Sequence, residues 1–200
     1  GGVFQLIIKN TTEAQNAVAQ LRAGLASTNG VSGQTVESMV AMSQEMQRLT
    51  NFGDDVVQAS QAMLLSFTKI GGDTFPRATR SIADMATRMG GDLQGATIMV
   101  GKALNDPILG ITALSRAGVQ FSESQKEVIR TMQETGDVAG AQNIILKELE
   151  TQFGGSAEAA RQTFGGAIAG LKNAIGDMFE VSEQGTSVFV TAINKAAEVV

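Results

Sequence analysis

Cysteine, histidine, tryptophan and tyrosine are all absent from this chain of 200 residues, and proline occurs only at Pro76 and Pro107. Without cysteine there is no disulfide, no thiolate nucleophile and no thiolate-ligated zinc. Without histidine the usual general base near neutral pH and the commonest metal ligand are missing. Aromatic residues make up 4%, all of them Phe. The core is therefore expected from Leu, Ile, Val, Met and Ala, with Phe at joints. No apolar run approaches the ~18 residues that suggest a membrane-spanning helix. The net charge is −5, the pI is near 4.8, and no cluster of Lys and Arg stands out along the chain. Direct nucleic-acid binding is not expected, because it needs clustered cations to release counterions. No signal peptide is visible, the first residue is not Met, and the chain stops on the apolar run KAAEVV. Both ends read as cuts in a longer polypeptide.

A hydrophobic fraction of 43% is enough to form a core. Four glycine junctions organise it: Gly71-Gly72-Asp73, Gly90-Gly91-Asp92, Gly136-Asp137 and Gly154-Gly155-Ser156. Each offers Gly for the left-handed residue that ends a helix, then Asp or Ser to cap the next. Long alternating runs of Val, Ile and Thr are missing, so the expected fold is all-α. Helical periodicity agrees: Leu93, Ala96, Val100, Ala103 and Leu104 form one stripe, and Val138, Ala141, Ile145 and Leu149 another. A third stripe joins Phe164, Ala167, Ile168, Leu171, Ala174, Ile175 and Met178.

These signals predict helices near 10–28, 34–50, 54–70, 76–89, 93–105, 107–117, 123–135, 138–152, 157–180 and 186–200. Residues 1–9 fit either a short strand or a helix end. The expected architecture is a compact bundle of short helices over 51–180. Residues 1–50 form a longer helical flank, with a coiled coil as one option, and 181–200 begin a continuing helix. The stretch GKALNDPILGITALSRAGVQFS, residues 101–122, is the most tightly punctuated. Asp106 is placed to cap a helix that opens on Pro107, where the missing N–H costs nothing. Ile108, Ile111, Ala113 and Leu114 supply its apolar face, with Gly110 among them. Gly118 permits a left-handed turn, Phe121 anchors the joint, and Ser122 with Gln125 fits a capping box. Architecture is a sufficient reason for this punctuation.

The blocks GKALNDPILGITALSRAGVQFSESQKEVI, GDVAGAQNIILKELETQFGGSAEAA and GLKNAIGDMFE follow one another in a set order. With the upstream LTNFGDDVVQASQAMLLSFTKIGGDTFPRATRSIADMATRMGGDLQGA, they resemble the tail length tape measure proteins of long-tailed phages and prophages. The resemblance covers about residues 48–180 and rests on ordered blocks with similar gaps, not on one short motif. It implies a structural, non-enzymatic and mostly helical protein without cofactors. Such a chain acts as a molecular ruler for the tail tube during virion assembly, leaves at infection and aids genome ejection. The implied partners are further copies of itself, the tail tube protein, the tail tip or initiator complex, a tail assembly chaperone and, after ejection, the host membrane. The implied locations are the tail tube lumen of the virion and the host cytoplasm during assembly.

Four features invite chemistry, and each has a plainer explanation. Asp54 and Asp55 are adjacent, so on a helix they point about 100° apart; acidic residues at a helix start complement the dipole. Glu148 and Glu150 suggest the acid/base pair of a glycoside hydrolase, a reading that would make the chain a peptidoglycan-degrading module. A chain without Trp or Tyr offers few sugar contacts, so solvated helix-face charge is preferred. The paired glycines are not phosphate loops, since Lys69 precedes its glycines and no strand feeds the turn. The segment FGGAIAGLKNAIGDMF, 164–179, carries small residues four apart at Gly166, Gly170 and Ala174. With Leu171 and Ile175 they form a candidate face for helix packing, self-association or membrane contact. No catalytic, cofactor-binding or metal-ligating set is identified.

Overall fold

The computed structural model describes the backbone of residues 2–180 and the side chains of 15–163, 165–168 and 170–175. Ten helices fill that span: α1 (Gly2–Ser27), α2 (Val36–Leu49), α3 (Asp54–Leu65), α4 (Thr74–Arg88), α5 (Leu93–Asn105), α6 (Pro107–Arg116), α7 (Glu123–Glu134), α8 (Val138–Phe153), α9 (Ser156–Arg161) and α10 (Phe164–Glu180). The all-α expectation holds, and no strand occurs among the described residues. Of the two options for residues 1–9, the backbone takes the helical one from Gly2 onward. The segment 181–200 and its expected helix over 186–200 lie outside the described residues.

Local chemistry sets most boundaries. Asp92 caps α5 by accepting from the Gly95 amide at 2.8 Å, and Asp137 caps α8 through Gly140 at 2.9 Å. Gly90, Gly91 and Gly136 before them all have positive φ. Two junctions differ from expectation. Asp73 precedes α4 in right-handed backbone, φ −68° and ψ −18°, and makes no capping bond. The carbonyls of Gly71 and Gly72 take the amides of Thr74 and Phe75 instead. Ser156 does not cap α9 either, because it is the first residue of the helix and Gly155 holds the cap position. The cap comes from α4: the Asp84 carboxylate accepts from the amides of Gly155 and Ala157 at 3.2 and 2.9 Å. Burial raises the Asp84 carboxyl above its ordinary value, outweighing those two bonds, which lower it.

Two predicted helices are shorter than their periodicity suggests. The one expected over 54–70 ends at Leu65, and a turn lays the Phe67 ring against Gly101 of α5 and buries Ile70. The one expected over 157–180 divides at Gln162 and Thr163. Thr163 Oγ1 donates to Ala160 O at the end of α9 and accepts from Gly166 N at the start of α10. One hydroxyl thus serves both helix ends.

The helices form two groups joined through α5 and again through α9 and α10. In one, α3 packs against α1 and α2; in the other, α4 packs against α5, α8 and α9. Helix α5 touches both α3 and α4. The residues of α4 explain its central place. Phe75, Ala78, Ile82, Ala83, Met85 and Ala86 are all buried, leaving Arg77, Arg80 and Arg88 for the rim. Helix α4 is strongly amphipathic, so one wide face enters the bundle while its charges stay at the surface, and its alanines let neighbours approach closely. Leu21, Met39 and Met46 of the expected flank 1–50 enter the same buried cluster as Leu64, Ile82, Leu104 and Ile145. Fully burying side chains of this size contributes roughly 1.5–3 kcal/mol each.

A polar band crosses this core. Gln58 Nε2 donates to Ser43 Oγ at 3.0 Å, and the hydroxyls of Ser60 and Thr97 meet at 2.7 Å. Gln142 of α8 donates to Lys69 O and Leu104 O, at 2.8 and 2.9 Å, tying the turn after α3 and the end of α5 to α8. Gln61 is fully buried, yet neither its amide oxygen nor its amide nitrogen has a partner.

Candidate functional site

The junction of α5, α6 and α7 is built as its residues dictate. Asp106 ends α5 and caps α6, accepting from Leu109 N at 3.2 Å, and Pro107 opens α6 in a buried position. Gly110 is buried against α5, where a Cβ would strike the backbone and Cβ of Ala103. Gly118 turns with φ +100°, so that Val119 and Phe121 fold inward. Ser122 Oγ accepts from Gln125 N at 3.1 Å while Gln125 Oε1 accepts from Ser122 N at 2.8 Å, the reciprocal capping box.

Gln125 does more than cap. Its Nε2 donates to Glu148 on α8 at 2.6 Å, and Gln152 donates to the other Glu148 oxygen at 2.6 Å. Gln152 also exchanges hydrogen bonds with the Gln120 backbone, at 2.7 and 3.0 Å. Glu148 therefore braces the α6–α7 junction against α8. Glu150 faces another way: it receives a two-pronged bond from Arg77 of α4, at 2.9 and 3.0 Å, and Arg77 also donates to Asn143 at 2.7 Å. The two carboxylates serve separate helices and do not converge on a common point. Asp54 and Asp55 occupy the first turn of α3, with the Asp55 amide donating to Asp54 Oδ1 at 2.9 Å.

Helix α10 turns Gly166 and Gly170 inward. A Cβ at Gly166 would strike Ala160 O and the backbone of Arg161, and one at Gly170 would meet the Arg161 guanidinium. That guanidinium donates to Thr50 O at 2.8 Å, so α10 lies over the ion that ties α9 to the end of α2. The expected stripe faces outward as a result. Ala167 and Ala174 are exposed, Ile168 and Leu171 are 54% and 51% exposed, and only Ile175 is half-buried. The side chains of Phe164 and Met178 lie outside the described residues. Close backbone approach, and not the width of the apolar stripe, decides which side of α10 is buried. No helix among the described residues is long and apolar enough to cross a membrane.

A groove of about 400 Å³ between α6 and α7 is not visible as a motif. Arg116, Lys126 and Arg130 line it, over a floor that includes Ile108 and Ile111. Lys126 and Arg130, four residues apart, share one face of α7, and the turn at Gly118 brings Arg116 of α6 to them.

No family model, no curated protein and no solved structure matches this chain.

Proposed function

We propose that this chain is a segment of a tail length tape measure protein, a structural ruler that sets tail tube length and is released at infection. The reading rests on the ordered sequence blocks over residues 48–180. It is supported by the use to which those blocks put their polar residues. Asp92, Asp106, Ser122 and Asp137 cap helices, Asp84 caps across the fold, and Glu148 and Glu150 brace α8. Every carboxylate of the suspected acid/base pair is engaged in holding helices together. The partners of this role are other copies of the chain, tube protein, tip complex and assembly chaperone.

The test is tail length by electron microscopy after the segment is duplicated in frame in its parent gene. A fully helical, extended insert of 200 residues adds roughly 300 Å, from a rise of about 1.5 Å per residue. Lengthening near that value supports a ruler that is stretched in the tail; a much smaller increase supports one that stays folded there. Unchanged length in viable particles overturns the ruler role for this segment.

A second reading is favoured by the outward Ile168 and Leu171: α10 contacts a membrane surface after ejection. Its expected result is dye release from liposomes by the chain, lost in Leu171→Asp. No release at micromolar protein removes it.

A further inference from the structure

Of the 15 Lys and Arg in this acidic chain, three line the groove between α6 and α7, and no Asp or Glu among the described residues does. Lys126 is held by Glu123, Nζ to Oε1 at 2.7 Å. Arg116 and Arg130 make no hydrogen bond or ion pair with any described residue; Arg130 attracts Glu123 only through space. Two guanidiniums thus face one groove with their donors uncommitted.

The hydroxyls of the groove are uncommitted as well. Thr79, Thr87, Thr97, Thr131 and Thr151 each donate to the carbonyl four residues back in their own helix. Thr112 and Ser115, which line the groove, make no side-chain hydrogen bond among the described residues. Guanidinium forks match the oxygens of a phosphate in pairs, and hydroxyls supply shorter donors beside them. The Ile108 and Ile111 side of the groove adds an apolar surface next to those donors. A volume of about 400 Å³ lies within the range of small-molecule sites.

From this we infer that the α6–α7 groove binds a phosphate-bearing anion, with Arg116 and Arg130 gripping the phosphate, Thr112 and Ser115 donating to its oxygens, and the isoleucines covering an organic part. The phosphate could be carried by a free phosphate ester or by a lipid headgroup, and the assay separates the two. The probe is inorganic pyrophosphate, titrated into the full 200-residue chain at constant ionic strength held with chloride. The readout is the NMR signals of the arginine Nε–H groups. Saturable shifts confined to Arg116 and Arg130 are expected. Arg116→Gln and Arg130→Gln should each weaken binding about tenfold, as expected for one lost charge-assisted hydrogen bond. Arg88→Gln, at the exposed end of α4, should leave it unchanged. A second arm uses vesicles of phosphatidylglycerol. Sedimentation with vesicles that is lost in both groove variants, beyond what pyrophosphate binding predicts, assigns the phosphate to a headgroup. Shifts that are absent, unsaturable or equal in all variants overturn the site. So does single-stranded oligonucleotide binding with the same arginine dependence but no pyrophosphate binding, which would make the groove a track for a nucleic-acid backbone.

Discussion

Replacing the buried Gln61 by Met should make the protein more stable. Gln61 is fully buried in α3, and both polar atoms of its amide are unpartnered. Burying a donor or acceptor without a partner costs about 1–3 kcal/mol. Methionine has nearly the length of glutamine, fills the same space and removes both polar atoms. Counting the two groups at the low end of that range gives a gain of about 2 kcal/mol for Gln61→Met. In a chain of this size that raises the melting temperature by about 4–8 °C. The assay is urea unfolding followed by far-ultraviolet circular dichroism, where the midpoint should rise and the slope stay fixed. The same change at Gln142 provides the contrast. Its amide nitrogen donates to Lys69 O and Leu104 O, so Gln142→Met strands two carbonyls and should cost about 2 kcal/mol. A loss of stability at Gln61 of 1 kcal/mol or more, with unchanged slope, would refute the reasoning. It would mean that the Gln61 amide is bonded in solution, through an internal water.

Asp84→Asn should alter the pH dependence of stability. Burial raises the Asp84 carboxyl above its ordinary value of 3.8, so its stabilising contribution is full below that value and declines as pH rises through the raised one. The stability difference between the parent chain and Asp84→Asn should therefore fall as pH increases across that interval and be flat above it. A difference that grows with pH would show that the bonds to Gly155 and Ala157 outweigh burial. Gly110→Ala should cost about 1–3 kcal/mol by wedging α6 off Ala103. Gly118→Ala should cost roughly 1–2 kcal/mol through its left-handed backbone. Urea midpoints check both. Leu171→Asp, on the outward side of α10, should change the unfolding free energy by no more than about 0.5 kcal/mol.

What was legible in the sequence was the chemistry that acts within one turn of helix. The capping box of Ser122 and Gln125, the caps at Asp92, Asp106 and Asp137, and the stripes of α5 and α8 all depend on spacings of three or four residues. What could not be read acts between helices. Asp84 lies 71 and 73 residues from the amides it caps, and Arg77 lies 73 residues from Glu150. No local pattern announces such pairs. The outward turn of α10 went against its apolar stripe because Gly166 and Gly170 allow a backbone approach to Arg161 that a wider side chain would block. The groove of Arg116, Lys126 and Arg130 was invisible for the same reason: two helices and a turn assemble it.

The bond from Arg161 to Thr50 O closes a loop of 111 residues, and α1 lies against α10. Closing so long a loop is entropically costly, and among the described residues of α9 and α10 only Ala157, Gly166 and Gly170 are buried. The amides of these two helices should exchange with solvent deuterium earlier than those of α4, α5 and α8, whose side chains supply much of the buried cluster. Drawn out by its two ends, the chain would yield from the outside inward. Helices α9 and α10 would release first, then α1 and α2, and the block around α4 last. Extension under tension would then proceed in steps, each with its own force, instead of one rupture of the whole domain.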